Sequence, residues 1–443
     1  MIISVKIPQK YLPERRYVAH VIFDVFFGID YKIEIENRNS YELSFGDKRI
    51  LFPDCFWTMD DNHSYLVREY LPTPELVSNR YCLEANIPCL YGDGSFFENK
   101  DTITCGIDVF ASIFFMLTRW EEYVNITRDQ HNRFPGKESI AYKYGFLHRP
   151  IVNEYMEMIW SMLQKIGYEG KRKKRKFELL PTHDIDHFAM EQRIIVSFRK
   201  ICGDLLKRHS IQMLIDHVKL LFHDPYNIYS WLMDVSEHSG ISSHFYMMSS
   251  APGIKSAQDA PYIKTKRFRK QVDNFKKRGH FVGFHPGYFT YNNLEEFCKE
   301  KLLLESIINK VVVESRQHFL MMSIPMTLSM IDKQGIKIDS SLGYADMEGF
   351  RCGTGDEFPI FDFVQRKQLG LIERPLVVMD GTLINYNHYS IEQIYVTMRY
   401  YVSIGKKYTM PITILFHNSS FVGLLRKELK KMYKTIISES VNK

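Results

Sequence analysis

The chain has 443 residues, of which 45% are hydrophobic and 14% aromatic, and its formal net charge is +6. This length exceeds one ordinary hydrophobic core, so two domains are expected, and the apolar content excludes an intrinsically disordered protein. No apolar run reaches the roughly 18 residues of a membrane-spanning helix, so none is predicted.

The cysteine pattern indicates reduced thiols. Seven cysteines are scattered along the chain, an odd number, and no two form a CxxC pair. Residues Met1 to Lys10 lack a basic segment followed by an apolar one, the pattern of a secretory signal. Together these features favour a cytoplasmic protein.

A run of six basic residues, Lys171 to Lys176, marks the predicted domain boundary. Such a run is typical of a solvated linker. No aromatic residues are interleaved with it on a basic face, so nucleic acid is not an expected partner. The predicted division is an N-terminal α+β accessory domain at 1–170, a linker at 171–176 and a larger domain at 177–443.

The N-terminal domain shows mixed patterns. Strands are predicted at Val18–Phe27 and Tyr31–Ile35, separated by a turn. Apolar residues at helical spacing predict helices at Asp108–Tyr123 and Pro150–Ile166.

In the larger domain, predicted strands alternate with predicted helices. The stretch Phe177–His187 opens with strand character and is followed by a helical insertion at about 188–240. Alternation of this kind predicts a parallel sheet with right-handed crossovers, either open or closed into a barrel. The later predicted strands are Ser242–Met248, Phe281–Phe284, Ser315–Leu320, Ile336–Asp339, Leu376–Met379 and Ile412–Phe416.

Polar residues recur where these strands end. In a β/α barrel the carboxyl ends of the strands form the active face. Asp184 and Asp186 are two residues apart, so on a strand both face the same way. The strand-end residues are Asp184, Asp186, His285, Arg316, His318, Asp339, Asp380 and His417.

This residue set can supply a hydrolytic metal site. Such a site needs histidine or carboxylate ligands, a base for the attacking water and an acid for the leaving group. Each residue also has a simpler interpretation: His285 as a loop histidine, Arg316 as the partner of any carboxylate, and His417 with its neighbours as the cap of the last helix.

Five motifs make the chain resemble the polysaccharide deacetylases, carbohydrate esterase family 4, and in particular a bacterial branch with an extra N-terminal domain that occurs with surface-polysaccharide biosynthesis. The resemblance covers roughly 177–430, and more weakly 105–160. It implies a distorted (β/α) barrel. The motifs are Thr182–Asp186, Gly279–Pro286, Ser315–His318, Asp339–Tyr344 and Ile414–His417.

The resemblance implies a role for each motif residue. Asp184 would be the general base, held by Arg316, and His417 the general acid, tuned by Asp339. Asp186 and His285 would bind a divalent metal, expected to be zinc. Tyr288, His318 and Tyr344 are expected to contact the substrate.

One position departs from the family pattern. The family has a second metal-binding histidine four residues after the first, and here Phe289 stands there. His318, His187, His244 or a water is then needed to complete the ligand set. His318 is the first candidate because it follows Arg316 by two residues on the same predicted strand, so both side chains would face one way.

The main hypothesis is a metal-dependent hydrolase that removes an acyl group, an acetyl in the simplest case, from a sugar in surface polysaccharide biosynthesis. The alternative is a catalytically impaired relative that binds carbohydrate or acts as a scaffold, which Phe289 favours. A third interpretation, an HD-type phosphohydrolase built on His183 and Asp184, requires a helical site, whereas this pair ends a predicted strand.

Overall fold

The computed structural model describes residues 1–58, 64–189, 224–251, 260–422 and 425–441. Most of the predicted insertion at 188–240 lies outside the described residues. The described strands are β1 Ile3–Pro8, β2 Tyr31–Glu36, β3 Ser40–Phe45, β4 Lys48–Pro53, β5 Glu75–Val77, β6 Ile87–Cys89, β7 Gly92–Glu98, β8 Thr102–Ile107, β9 Leu179–Ile185, β10 His244–Met247, β11 Phe281–Phe284, β12 Glu314–Ser315, β13 Ile338–Asp339, β14 Phe358–Asp362, β15 Lys367–Glu373, β16 Leu376–Met379 and β17 Ile412–Leu415.

Helices surround these strands. The described α-helices are α1 Leu12–His20, α2 Val109–Thr118, α3 Glu121–Val124, α4 Ile140–Lys143, α5 Ile151–Lys165, α6 Tyr229–His238, α7 Lys266–Lys277, α8 Leu294–Ile308, α9 Met326–Lys333, α10 Ile391–Tyr408 and α11 Arg426–Val441. Val21–Phe27 and Thr382–Tyr386 are π-helical.

The chain divides into two units, neither of which is continuous in sequence. The first comprises Met1–Phe177, Phe319–Val378 and Ser403–Ile412, and the second comprises Glu178–His318, Met379–Val402 and Thr413–Lys443. Residues that the sequence analysis assigned to the larger domain therefore contribute to both units. The predicted linker at 171–176 stays a prediction.

The first unit contains a six-stranded mixed sheet in the order β2-β1-β3-β4-β8-β7. Strand β1 pairs parallel with β2 and antiparallel with β3. Helix α2 is buried along its whole length, and the Asp108 carboxylate caps it by accepting the backbone N–H of Ala111 at 2.9 Å.

The strand predicted at Val18–Phe27 was wrong. The segment continues α1 and then forms the π-helix Val21–Phe27, which ends at Gly28 with φ 62°. A short apolar run fits a buried helix as well as a strand, so periodicity alone did not decide between them. Gly28 is the informative residue, because a left-handed glycine commonly ends a helix.

The second unit is built on parallel strands. Strand β10 pairs parallel with β9 and β11, and β11 pairs parallel with β12. Strand β17 adjoins β9 on its other side. The α/β class is therefore confirmed. Within this unit the described strands make a curled half-barrel, not a closed barrel, because its outer strands β12 and β17 do not pair with each other.

Candidate active site

The register of the parallel strands brings their carboxyl ends to one level. Ile185 lies opposite Met247, Met247 opposite Phe284, and Phe284 opposite Ser315. The next residue after each strand is therefore also level with its neighbours. Asp186, His285 and Arg316 leave the sheet together, which is why residues far apart in sequence meet here.

Arg316 forms the predicted ion pair with Asp184. Its guanidinium donates to Oδ1 of Asp184 at 3.1 Å and to Oγ1 of Thr182 at 2.6 Å. The side chains of Arg316 and Asp184 are 0% and 3% exposed. The guanidinium also lies 4.6 Å from the ring centre of Tyr246. The buried charge of Asp184 is thus compensated by a hydrogen-bonded partner, as burial of a carboxylate requires.

Asp186, His285 and His318 place three donor atoms around one point. Nε2 of His285 lies 3.3 Å from Oδ1 of Asp186 and 3.2 Å from Nδ1 of His318. Nδ1 of His318 lies 3.5 Å from the same Oδ1. A tetrahedral ion with bonds of about 2.0–2.1 Å holds its donor atoms about 3.3–3.4 Å apart. The three separations therefore fit one face of a tetrahedral metal site.

A backbone hydrogen bond orients His285 for this role. Its Nδ1–H donates to the carbonyl oxygen of Arg316 at 2.5 Å, and a carbonyl oxygen can only accept. When the ring is neutral, the lone pair of Nε2 is therefore directed toward Asp186 and His318. This fixing of the second ring nitrogen is the usual arrangement of a metal-binding histidine.

The electrostatics of His318 and Asp186 also suit a cation. Burial lowers the pKa of His318 to about 4, so its ring is neutral at pH 7. Burial tends to raise the pKa of Asp186, but the neighbouring His318 and His285 reverse this and lower it. Oδ1 of Asp186 is buried, and among the described residues only the ring nitrogens of His285 and His318 approach it, so it lacks a hydrogen bond when those nitrogens carry no proton. A cation bound between the three groups would satisfy this oxygen.

His417 is oriented by Asp380, so the predicted pairing with Asp339 was wrong. Nδ1 of His417 lies 2.7 Å from Oδ1 of Asp380, the position that Asp339 was predicted to fill. Burial acts to lower the pKa of His417, but the charge and hydrogen bond of Asp380 overcome it and raise the pKa to about 10. Nε2 of His417 lies 3.8 Å from Oδ2 of Asp186. A protonated ring therefore faces the three donor atoms.

The other predicted residues lie as follows. Tyr288 is half-buried in the loop after His285 and packs edge-on against Phe289 at 5.4 Å. Asp339 and Tyr344 belong to the first unit. There the hydroxyl of Tyr344 accepts a hydrogen bond from Arg119 at 2.8 Å. The proposed substrate contacts of Tyr288 and Tyr344 stay predictions.

Two of the three candidate replacement ligands are engaged elsewhere. His187 is exposed and stacks on Tyr226, with ring centres 5.4 Å apart. His244 begins β10 and its Nδ1 lies 2.8 Å from Oε2 of Glu314. Both lie outside the three-residue donor group, which contains the first candidate, His318.

The partner of His417 could have been found from the sequence. Asp380 follows β16 directly and was already among the strand-end polar residues. The family motif drew attention to Asp339 instead. The available signal was a carboxylate at the end of Leu376–Met379, the predicted strand that directly precedes the predicted histidine strand in sequence.

Comparison with known proteins gives one partial family match and a set of distant structures. A model described as a family of unknown function, DUF7033, matches residues 3–168. No curated protein matches the chain. No helix in the described part of the chain has the length and apolarity to cross a membrane.

Solved structures that resemble the chain are described as polysaccharide deacetylases or as pseudoenzymes of carbohydrate esterase family 4. One, from Mycobacterium smegmatis, is 12% identical, with 60% of this chain and 85% of that chain covered and a TM-score of 0.38. Another, from Pseudomonas aeruginosa, is 10% identical, with 62% and 90% covered and a TM-score of 0.37. A Bacillus anthracis pseudoenzyme of carbohydrate esterase family 4 is 8% identical, with 60% and 62% covered and a TM-score of 0.30. These are the same family that the motifs indicate. TM-scores of this size establish no activity, so the chain's own residues have to support any function.

Proposed function

We propose that the chain is a metal-dependent hydrolase that removes an acyl group, most simply an acetyl group, from a sugar used in surface polysaccharide biosynthesis in the cytoplasm. The observation that carries this proposal is the convergence of three elements. These are the donor group Asp186, His285 and His318, the Asp184–Arg316 pair and the His417–Asp380 pair.

Asp186, His285 and His318 would hold the metal, and zinc suits their nitrogen and carboxylate donors. A divalent ion bound there supplies polarisation of a carbonyl oxygen and lowers the pKa of water. The remaining steps belong to the side chains around it.

Asp184 and His417 divide the proton transfers. Asp184 accepts a proton from the attacking water, while Arg316 compensates its charge and fixes its position. His417 is protonated at pH 7 because its pKa is about 10, and its Nε2–H faces the donor group. It donates that proton to the departing amine or alkoxide. Asp380 holds the ring in the tautomer and orientation that this transfer needs.

The test is acetate release from N-acetylglucosamine and its oligomers by zinc-loaded protein. We expect turnover by the parent and a loss of about 10²–10⁴ in rate for Asp184→Asn, because removal of a general base costs that much. Asp234→Asn is the matched control. Asp234 is exposed, pairs with Arg278, and has no part in the proposed mechanism. A parent that binds zinc but hydrolyses no acylated sugar contradicts the proposal and favours a carbohydrate-binding protein.

A further inference from the structure

The second unit carries a basic groove along the exposed side of α7. Its volume is about 610 Å³. Five cationic side chains and one carboxylate line it, together with three amide side chains and one aromatic ring. The charged residues are Lys266, Arg267, Arg269, Lys270, Lys277 and Asp273.

The helix pattern explains why these charges face outward. Phe268, Val272 and Phe275 follow at spacings of four and three and are buried, so the opposite face of α7 is left to the charged residues. Arg267 pairs with Asp224 at 2.9 Å. The other four cationic side chains of the groove have no ion-pair partner in the part of the chain that the structure describes. They are Lys266, Arg269, Lys270 and Lys277. The groove is therefore positively charged and not internally neutralised.

A second observation points to an anionic ligand. Gln271 also lines the groove, and its Nε2 is buried without a hydrogen-bond acceptor in the described residues. A buried N–H without an acceptor is costly, and a ligand oxygen would satisfy it. The groove also includes the first turn of α7, where the helix dipole adds partial positive charge.

One residue that lines the groove is close in the chain to the candidate active site. Phe188 lines it and follows Asp186 by two residues, a span of at most about 7 Å. The Arg267 guanidinium lies 5.6 Å from the centre of the Phe188 ring. Asn418, which follows His417, donates to the backbone oxygen of His187 at 2.8 Å. These links are the basis for placing the sugar of a ligand at the donor group and the rest of the same ligand in the groove.

We propose that this groove binds the phosphate or pyrophosphate group of the substrate, so that the acylated sugar is presented on a phosphate carrier rather than as a neutral glycan. This inference rests on the proposed function above. Lysine and arginine are the side chains that bind phosphate oxygens, and several of them facing one cleft favour a group with multiple negative charges.

The direct test is calorimetric titration of inorganic pyrophosphate into the metal-free, full-length protein. The groove variant replaces Lys266 and Lys270 by Gln. The matched control replaces Lys427 and Lys431 by Gln, because both lie on the exposed face of α11 and their loss changes the net charge equally. We expect the parent to bind, binding to weaken with added salt, the groove variant to bind about tenfold more weakly, and the control to match the parent within about twofold.

A kinetic arm identifies the substrate class. With UDP-N-acetylglucosamine as the probe, the groove variant should raise KM about tenfold, and with N-acetylglucosamine it should leave KM unchanged. Equal effects on the two substrates overturn the proposal. Equal weakening of pyrophosphate binding in the groove and control variants also overturns it.

Two further outcomes separate rival explanations. If pyrophosphate does not bind but phosphatidylglycerol vesicles bind the parent and not the groove variant, the groove is a membrane-facing surface and the proposal is overturned. Pyrophosphate binding needs neither metal nor turnover. Groove-dependent binding by a protein that hydrolyses nothing therefore supports the phosphate site while contradicting the hydrolase function.

Discussion

A single carboxylate, that of Asp380, fixes both the ring and the backbone of His417. Oδ1 of Asp380 lies 2.7 Å from Nδ1 of the ring, and Oδ2 accepts the backbone N–H of His417 at 2.7 Å. Asp380 is fully buried, so it keeps this position without competition from water. The imidazolium is thus held in one orientation with its Nε2–H free to act.

Replacing Asp380 by Asn should therefore lower the pKa of His417 from about 10 toward its ordinary value, because the charge that stabilises the imidazolium is lost. We expect kcat/KM for acetate release to fall by about 10²–10⁴. NMR titration of the His417 ring in metal-free protein measures the shift. Asp339→Asn is the comparison, since it leaves the Asp380 hydrogen bond in place. A His417 pKa that falls in Asp339→Asn but not in Asp380→Asn would contradict the assignment.

The donor group predicts which histidines bind metal. Asp186→Asn, His285→Ala and His318→Ala should each weaken zinc binding by about 100-fold or more, because each removes one of three ligands. His187→Ala is the matched control, since that ring is exposed and stacks on Tyr226. Competition titration with a chromogenic zinc chelator measures the affinities. Parent-like affinity in His318→Ala would remove this residue from the ligand set.

Arg316 should matter for stability as well as rate. Arg316→Gln leaves the Asp184 carboxylate buried without its cation, which costs about 3–5 kcal/mol. Urea unfolding followed by circular dichroism measures the change. Arg278→Gln is the control, because Arg278 pairs with Glu237 at the surface and its loss should cost at most about 1 kcal/mol.

A double variant separates charge compensation from packing. Adding Asp184→Asn to Arg316→Gln should recover part of the lost stability, since the uncompensated charge is then absent. No recovery would indicate that Arg316 stabilises the unit through its packing on Tyr246 and not through the ion pair.

Glu300 makes the free energy of unfolding depend on pH. It lies under the loop that follows His285. Its Oε2 accepts the backbone N–H of Gly287 at 2.8 Å and the hydroxyl of Ser250 at 3.1 Å. Burial raises the pKa of Glu300 from its ordinary 4.5 to about 7. The folded state therefore holds this proton more tightly than the unfolded state, and the resulting stability is fully present below about pH 4.5 and is lost as the pH rises through 7.

Replacing Glu300 by Gln should remove this dependence. The free energy of unfolding of the parent should fall relative to that of the variant between pH 5 and pH 8, by up to about 3 kcal/mol. Urea unfolding at both pH values measures the difference. Glu295→Gln serves as the control, because Glu295 is exposed on the same helix and is not among the charges that shift the pKa of Glu300. A parent–variant difference that is the same at both pH values would contradict the buried-proton explanation.

The strand ends were the most predictable part of the molecule. The alternation of strands and helices predicted a parallel sheet, and the carboxyl ends of parallel strands lie at one edge. Asp184, Asp186, His285 and His417 were therefore predicted to meet there. His318 was predicted near Arg316 for a reason that the structure does not bear out. Strand β12 ends at Ser315, and His318 belongs to a separate turn. Its position depends on backbone conformation beyond the strand, which periodicity does not encode.

Other features were not predictable from local sequence. The N-terminal segment Val18–Phe27 is apolar except at His20 and Asp24, so few polar positions were present to distinguish a helical period from a strand period. The division into two units depends on residues such as those of β14 and β15 that lie far along the chain from Met1–Phe177. Long-range assembly of this kind leaves no signal in a window of neighbouring residues.

The level ends of β9 and β11 also determine how this protein tolerates insertions and deletions. The donor atoms of Asp186 and His285 are placed by ladder hydrogen bonds between strands, not by their separation along the chain. Connecting segments can therefore change length over evolution without moving the donors. A one-residue insertion inside either strand would turn its donor to the opposite face of the sheet. Length variation among relatives should accordingly be confined to the connections.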